Sequence, residues 1–456
     1  MAFPIIDLAL ITLAFAFLLG LGGFAFISLR EKEPRAARVS AAISCAGFLT
    51  FTFALWLPAP VKIGILALVL LASLTGLVAF FLPIGRAGLS QSTPTRRFDE
   101  RDIMFARARL IPGSPQYQSY YAMRPENLPG DELTRSKPGL LSLKAAFANP
   151  YLFASSQGSF VLTEALHAAV DGPVAPEKHS LDPPEMTAFI KNLGRYYGAL
   201  EIGVTELKPY HVYSHIGRGS GVYGAPLPIE HRYAIAFTVE MDFEMIGANP
   251  TAPGVMESAR EYVEAARVAV QLAATIRHLG YPARAHMDGD YRVIAPLVGR
   301  DAGLGEIGRM GLLMTPRQGP RVRINVVTTD LDLIPDPPCH ETSVIDFCRV
   351  CKKCAVNCPV KAIPFDDRQE IEGALRWRIN ADTCFRYWNV VGTDCGRCMT
   401  VCPFSHPDSF YHNLVRWGID RSGAFRRLAL WLDDLFYGKQ PIPRQAPPWA
   451  RMGEIA

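Results

Sequence analysis

The chain has 456 residues, 49% of them hydrophobic and 20% charged, and its 47 Lys and Arg against 43 Asp and Glu leave a formal charge of +4. That length supports two or three domains and excludes a short binding peptide, and the apolar content excludes a disordered chain. So small a basic excess does not suit a protein that tracks a phosphate backbone, so no nucleic acid partner is expected.

Residues 8–29 form an uncharged apolar run, and two more follow at about 41–57 and 63–82. Each approaches the ~20 residues that a membrane-spanning helix needs. The start, MAFPIIDLAL, carries an acidic residue and no twin arginine, unlike a removable export signal, so the segments are expected to stay as three transmembrane helices in contact with lipid. The alternative, buried helices of a soluble domain, is weakened by the short connections between the runs. Arg30, Lys32, Arg35 and Arg38 lie in the first connection, only Lys62 in the second, and Arg86, Arg96, Arg97 and Arg101 after the third run. Positive charge marks the cytoplasmic side, and the parity of three spans agrees. The remainder is therefore expected on the cytoplasmic face of the cell inner membrane.

Residues 85–150 are rich in Arg, Pro, Ser and Tyr with little periodicity, which predicts an extended connector. Beyond it, residues 255–279 have helical periodicity ending at Gly280, while 232–239 and 321–328 alternate as strands do. This pattern predicts an α/β domain. Residues 414–436 read as a helical, Arg-rich stretch, followed by a Pro-rich tail that suits a clamp or a loose end more than a site.

Of ten cysteines, eight fall between Cys348 and Cys402, and such clustering usually means metal. CRVCKKCAVNCP supplies Cys348, Cys351, Cys354 and Cys358 followed by Pro359, the spacing of a bacterial two-cluster ferredoxin motif. In that motif three thiolates wrap one cubane and the fourth serves a second cluster. CFRYWNVVGTDCGRCMTVCP supplies the second set, with Cys384 set well ahead of Cys395, then Cys398, Cys402 and Pro403. The crossed assignment is Cys348, Cys351, Cys354 and Cys402 for one [4Fe–4S] cluster, and Cys358, Cys384, Cys395 and Cys398 for the other. Structural zinc is the competing reading, and disulfides do not suit a reducing compartment. Cys45 and Cys339 are left over as packed thiols.

Gly303-Leu-Gly305-Glu-Ile-Gly308 satisfies G-x-G-x-x-G, which marks a dinucleotide site only where it follows a strand and opens a helix. Here Pro316 and strand-like residues follow closely, so no long helix is expected. The glycines imply a close backbone approach, with a large cofactor as one candidate.

The run DAGLGEIGRMGLLMTPRQGPRVR, then TTDLDLIPD, then the two cysteine motifs with the displaced Cys384, resembles the corrinoid-dependent reductive dehalogenases over about residues 210–407. The resemblance implies an α/β (α+β) fold: a nitroreductase-like cobalamin-binding domain with a C-terminal ferredoxin-like dicluster module, preceded here by the three helices. The implied organisation is an anchor at 1–88, a connector at 89–150, a corrinoid-binding catalytic domain at 151–338, a two-cluster module at 339–410 and a C-terminal helix and tail at 411–456. It further implies a base-off cobalamin, an organohalide substrate, and a low-potential electron donor of quinol-linked, ferredoxin or flavodoxin type. Respiratory members of that family pair with a separate three-helix anchor protein, whereas here the anchor looks fused in front. Glu31 and Glu33 are similar to the paired acids in the anchor loop that faces its partner.

The family donates a proton from a tyrosine standing over cobalt, aided by a nearby Arg or Lys. The residue at the matching place in HIGRGSGVYGAP is Tyr223, and Arg284 in GYPARAH falls where the family's basic residue lies. The bland alternatives are a turn tyrosine between glycines and a solvated helix-end cation. Asn249 in MIGANP matches a polar residue beside the substrate, or else forms a turn before Pro250. Gly303, Gly305, Gly308, Arg309 and Thr315 are candidates for contact with the corrinoid, or for rigid packing of their loop. Trp388 either lines the pocket or screens a cluster. His215 and Arg218 rank below Tyr223 as proton donors. Two rival functions are an epoxyqueuosine-reductase-like enzyme and a membrane ferredoxin-type electron carrier. The long stretch before Cys348 and the three apolar runs weigh against them.

Overall fold

The computed structural model describes residues 2–81, 93–338 and 343–452, so Cys339 lies outside the described residues. Two compact units emerge, Met1–Gly88 with Asp408–Arg444, and Leu89–Pro407 with Gln445–Ala456.

In the first unit the apolar runs form α1 (Ala2–Arg30), α2 (Pro34–Ala54) and α3 (Ala59–Phe81). All three are long and apolar enough to cross a membrane. Pro34 opens α2 at a position where a missing N–H costs nothing. Leu10 and Ala14 of α1 pack against Phe51 and Ala54 of α2. Lys62 near the start of α3 pairs with Asp7 near the start of α1 at 2.7 Å, which brings the like ends of the two helices together. The predicted helix over 414–436 is two helices, α4 (Phe410–Arg421) and α5 (Gly423–Phe436). The break falls at Ser422, whose hydroxyl accepts from Phe425 N at 3.3 Å as an N-cap and donates to the Ala79 carbonyl at 2.6 Å. At the other end of α1, the Glu31 carboxylate meets His412 Nε2 at 3.0 Å and Glu33 is paired with Arg444. The two acids of the first connection are thus engaged by this chain's own C-terminal segment.

The second unit is a mixed α/β body. Four antiparallel strands, β1 (Glu201–Glu206), β2 (Tyr233–Glu240), β3 (Ala283–His286) and β4 (Val322–Thr329), form a sheet in the order β1-β2-β4-β3. Alternation sends Ile235, Phe237 and Val239 to one face, where they pack with Ala269, Leu272 and Ile276 of the long helix Ala252–His278. Ala234 and Ala236 point to the opposite face with Val298, Leu313 and Val326. Because both faces are covered, β2 is buried along almost its whole length. The long helix stops where Gly280 takes φ +88°, and an added Cβ there would stand 2.3 Å from the Glu177 carbonyl.

One segment differs from expectation. Residues 93–149 are not extended but fold into short helices, among them Met104–Ala108, Pro115–Met123 and Leu128–Arg135. None is longer than nine residues, too short to print an apolar period, yet Ser114 caps one of them by accepting from Tyr117 N. The tail docks, with Ala446 and Ala450 buried against Met245 and Ala248. The glycine-rich run forms a small hairpin, Glu306–Ile307 against Leu313–Met314, with no helix after it.

Candidate functional site

Each cysteine motif turns on a residue in the left-handed region, Lys352 (φ 55°) and Gly396 (φ 61°), and each turn opens a four-residue helix, Lys353–Val356 and Arg397–Thr400. The duplicated geometry crosses the two motifs. Cys402 lies close enough to Cys348, Cys351 and Cys354 to act on them electrostatically. Cys384 and Cys395 lie near Cys358, and Cys398 near all three of these. Cys398 also senses Cys354, so the two sets adjoin. Burial pushes the Cys354 and Cys395 thiols up to about 12 and Cys384 to about 11, with like-charged neighbours adding to the effect. Such thiols keep their protons at neutral pH until a bound metal displaces them, and four of them in each crossed set are the donor chemistry that suits two iron–sulfur clusters. Among the described residues no three His, Cys, Asp or Glu converge on a single-ion site. The Trp388 indole hydrogen-bonds the Cys384 sulfur.

The glycine-rich run meets this module directly. An added Cβ on Gly305 (φ 154°) would stand 2.1 Å from the Met314 carbonyl, and one on Gly308 would stand 3.6 Å from Cys348 Sγ. Gly303 is pressed by the Pro337 carbonyl. Arg309 is buried, donating to the carbonyls of Cys348 (3.0 Å), Pro364 (2.8 Å) and Asp366 (2.7 Å), with its guanidinium 4.6 Å from the Trp377 ring centre. Thr315 closes a tight turn with Gly319 through both backbone partners. The close approaches here are to the chain itself, and Arg309 acts as a clasp between the hairpin and the first cysteine set.

Tyr223 stands on a loop with three glycines at positive φ, Gly219, Gly221 and Gly224. Its ring packs against the group of Leu110, Tyr120 and Tyr121. Its hydroxyl is buried and without a hydrogen-bond partner among the described residues. Burial pushes the phenol up to about 12, with Arg101 pulling it down and Asp99 and Asp102 pushing it up. The cation that acts on Tyr223 is therefore Arg101, itself held by Asp99 at 2.6 Å. Arg284 sits beneath the same loop, bound to the fully buried Asp290 at 2.9 Å, to Ser220 Oγ at 3.3 Å and to Asp171. Ser220 in turn donates to Asp290 at 2.8 Å. His215 is 3.4 Å from Asp99, and Arg218 pairs with the buried Glu100 at 3.2 Å. Sequence reasoning missed Arg101, Glu100 and Asp290.

Asn249 is placed elsewhere, pressed between Gly254 and Gly396 of the second cysteine loop. It is fully buried, and neither amide atom has a partner among the described residues. Nearby, Arg323 bonds Asp394 at 3.2 Å, immediately before Cys395, and its guanidinium lies 4.6 Å from the Tyr262 ring centre. Arg323 Nε, Asp394 Oδ1 and Asn325 Nδ2 are also buried without partners. So many orphaned donors and acceptors are costly unless a polar guest satisfies them, and an amide-rich corrinoid fits that requirement. A separate cleft of about 1850 Å³ is walled by Arg97, Tyr213, Gly308, Arg376 and Trp377, larger than the ~300–1,000 Å³ of ordinary ligand pockets.

Residues 347–406 match the 4Fe-4S dicluster domain family. The tetrachloroethene reductive dehalogenase of Sulfurospirillum multivorans is 33% identical over 292 residues, covering 56% of this chain and 58% of that protein. Among solved structures, the catabolic reductive dehalogenase NpRdhA in complex with 3-bromo-4-hydroxybenzoic acid superposes with a TM-score of 0.63 at 25% identity, over 78% of this chain and 49% of that one. A reductive dehalogenase structure described as suggesting a mechanism for B12-dependent dehalogenation gives the same score, identity and coverage. The chain thus spans about half the length of the relatives it matches. With its mixed α/β body, its dicluster domain with eight cysteines and these alignments, the chain is similar to the reductive dehalogenases over its α/β body and its cluster module.

Proposed function

We propose that the protein is a membrane-held, corrinoid-dependent reductive dehalogenase that replaces a carbon-bound halogen by hydrogen. The balance is R–X + 2e⁻ + H⁺ → R–H + X⁻. The observation that carries this reading is the crossed gathering of eight thiols beside a body that aligns with reductive dehalogenases. Cys348, Cys351, Cys354 and Cys402 would hold one [4Fe–4S] cluster, and Cys358, Cys384, Cys395 and Cys398 the other. Asn249, Arg323, Asn325 and Asp394 would hold the corrinoid's polar periphery. When bound, the corrinoid supplies the cobalt chemistry that breaks the carbon–halogen bond, and the clusters supply electrons one at a time.

The chain's own part is to hold the proton and orient its donor. The Tyr223 hydroxyl, its pKa near 12, keeps its proton at neutral pH and is free to give it to carbon. Arg101 eases that release by favouring the phenolate. Arg284 and Asp290 brace the loop from below through Ser220. Three helices of membrane-spanning length support an anchored protein, and the positive first connection supports a catalytic unit facing the cytoplasm. The electron donor would be a low-potential carrier.

Anaerobic reconstitution of the full chain with iron, sulfide and cobalamin tests the reading. It predicts about eight iron and one cobalt per chain. Iron without cobalt would instead support an electron carrier.

A further inference from the structure

In α4, Phe410, Leu414 and Trp417 share one face and are exposed, while His412, Arg416 and Ile419 are buried. In α5, Leu428 and Trp431 are exposed on one face, while Arg426, Ala429 and Phe436 are buried. Both helices therefore use one side for packing within their unit and leave a second apolar side uncovered. Phe410 is 73% exposed and Trp431 59%, which is costly for two neighbouring helices in water.

Their position within the unit identifies what covers that side. Trp417 and Phe425 place their rings 5.1 and 5.0 Å from Phe80, in the last turn of α3. Ser422 hydrogen-bonds the Ala79 carbonyl at 2.6 Å, and Tyr411 Oη donates to the Gly20 carbonyl of α1 at 2.9 Å. Trp417 thereby continues the outward surface of α3 formed by Leu77, Val78 and Phe81, each more than half exposed. The Arg421 guanidinium lies 3.9 Å from the Trp417 ring centre, and Arg427 is exposed beside Leu428. Tryptophan with arginine at the end of an apolar span is the composition of the headgroup layer, where the ring sits among the carbonyls and the cation meets phosphate.

We propose that α4 and α5 are an interfacial foot: they lie in the lipid headgroup layer at the end of α3, with Phe410, Leu414, Trp417, Leu428 and Trp431 in contact with phospholipid. This rests on the reading of α1–α3 as membrane spans. The foot holds the chain to one leaflet independently of the spans' length, and its occupant is lipid because its apolar side is continuous with the lipid-facing side of α3.

The test uses the full chain in nanodiscs of phosphatidylethanolamine and phosphatidylglycerol. The photoreactive residue p-benzoylphenylalanine replaces, one at a time, Trp417, Trp431, Leu71 on α3, or Tyr196, which is 85% exposed on the second unit. After illumination, mass spectrometry is expected to show a shift of one phospholipid at positions 417, 431 and 71, and none at 196. Adducts at 71 but none at 417 and 431 would overturn the foot while leaving the spans intact. Polypeptide adducts at 417 and 431 would overturn it in favour of a protein partner or a second copy. Loss of the adduct at 71 would overturn the spanning reading and the foot with it.

Discussion

Tyr223 Oη is buried, with a nearby cation and no hydrogen-bond partner among the described residues, the conditions for a group that holds a proton until a substrate takes it. Tyr223→Phe keeps the ring and removes that proton, so dehalogenation is expected to fall by ~10²–10⁴ if protonation limits turnover, with iron and cobalt contents unchanged. Its titration is a separate prediction. Because burial raises the phenol to about 12, the tyrosinate absorbance that disappears in Tyr223→Phe should develop well above pH 10. Arg101→Met should move it higher still, since a favourable charge for phenolate is lost. Development near pH 10 in the unaltered protein would contradict the buried setting. Arg284 is a different case. Arg284→Ala strips one cation from the buried Asp290 and should destabilise the protein by less than the ~3–5 kcal/mol of a broken buried pair, because Arg292 still stands 3.1 Å from Asp290. A denaturant titration measures this. Tyr223 and Arg284 could be singled out from the sequence only because the segments around them match the places where the resembled family carries its tyrosine and its basic residue. Arg101 could not, because its influence on Tyr223 exists only after a stretch without periodicity has folded over the loop.

At the scale of elements, the crossing of the two cysteine motifs makes a prediction that sequence order does not. Cys358→Ser lies in the first motif, yet it should remove the same electron paramagnetic resonance signal as Cys384→Ser, while Cys402→Ser should match Cys348→Ser. If Cys358→Ser instead matched Cys348→Ser, the proposed ligand sets would be wrong. The spacing of these cysteines was legible because ligand spacing is local, whereas the short helices of 93–149 left no period long enough to read. The G-x-G-x-x-G run shows how context decides a motif: Pro316 forbids a long helix and a hairpin forms instead. Gly305→Ala should cost at least ~1–3 kcal/mol, because at φ 154° an added Cβ meets the Met314 carbonyl at 2.1 Å. The outcome would be read as a lowered unfolding midpoint.

At the scale of the whole molecule, the apolar runs, the α/β body and the two-cluster module were each visible in the sequence, since each carries its own period or spacing. The role of the C-terminal segment was not, because the partners of His412 and Arg444 are Glu31 and Glu33, near the opposite end of the chain. With a positive first connection, an epitope inserted beside Trp56, between α2 and α3, should be accessible from outside spheroplasts, and one inserted beside Lys32 should not. The reverse pattern would turn the catalytic unit outward. The central claim is that halide leaves carbon through corrinoid chemistry in this chain. The most direct measurement is halide released by the reconstituted full chain under a strong reductant, with and without cobalamin, against a panel of organohalides. The account predicts release matched one for one by the hydrogen-substituted product, and only with cobalamin loaded. Equal release without cobalamin, or none from protein carrying its full iron and cobalt, would contradict it.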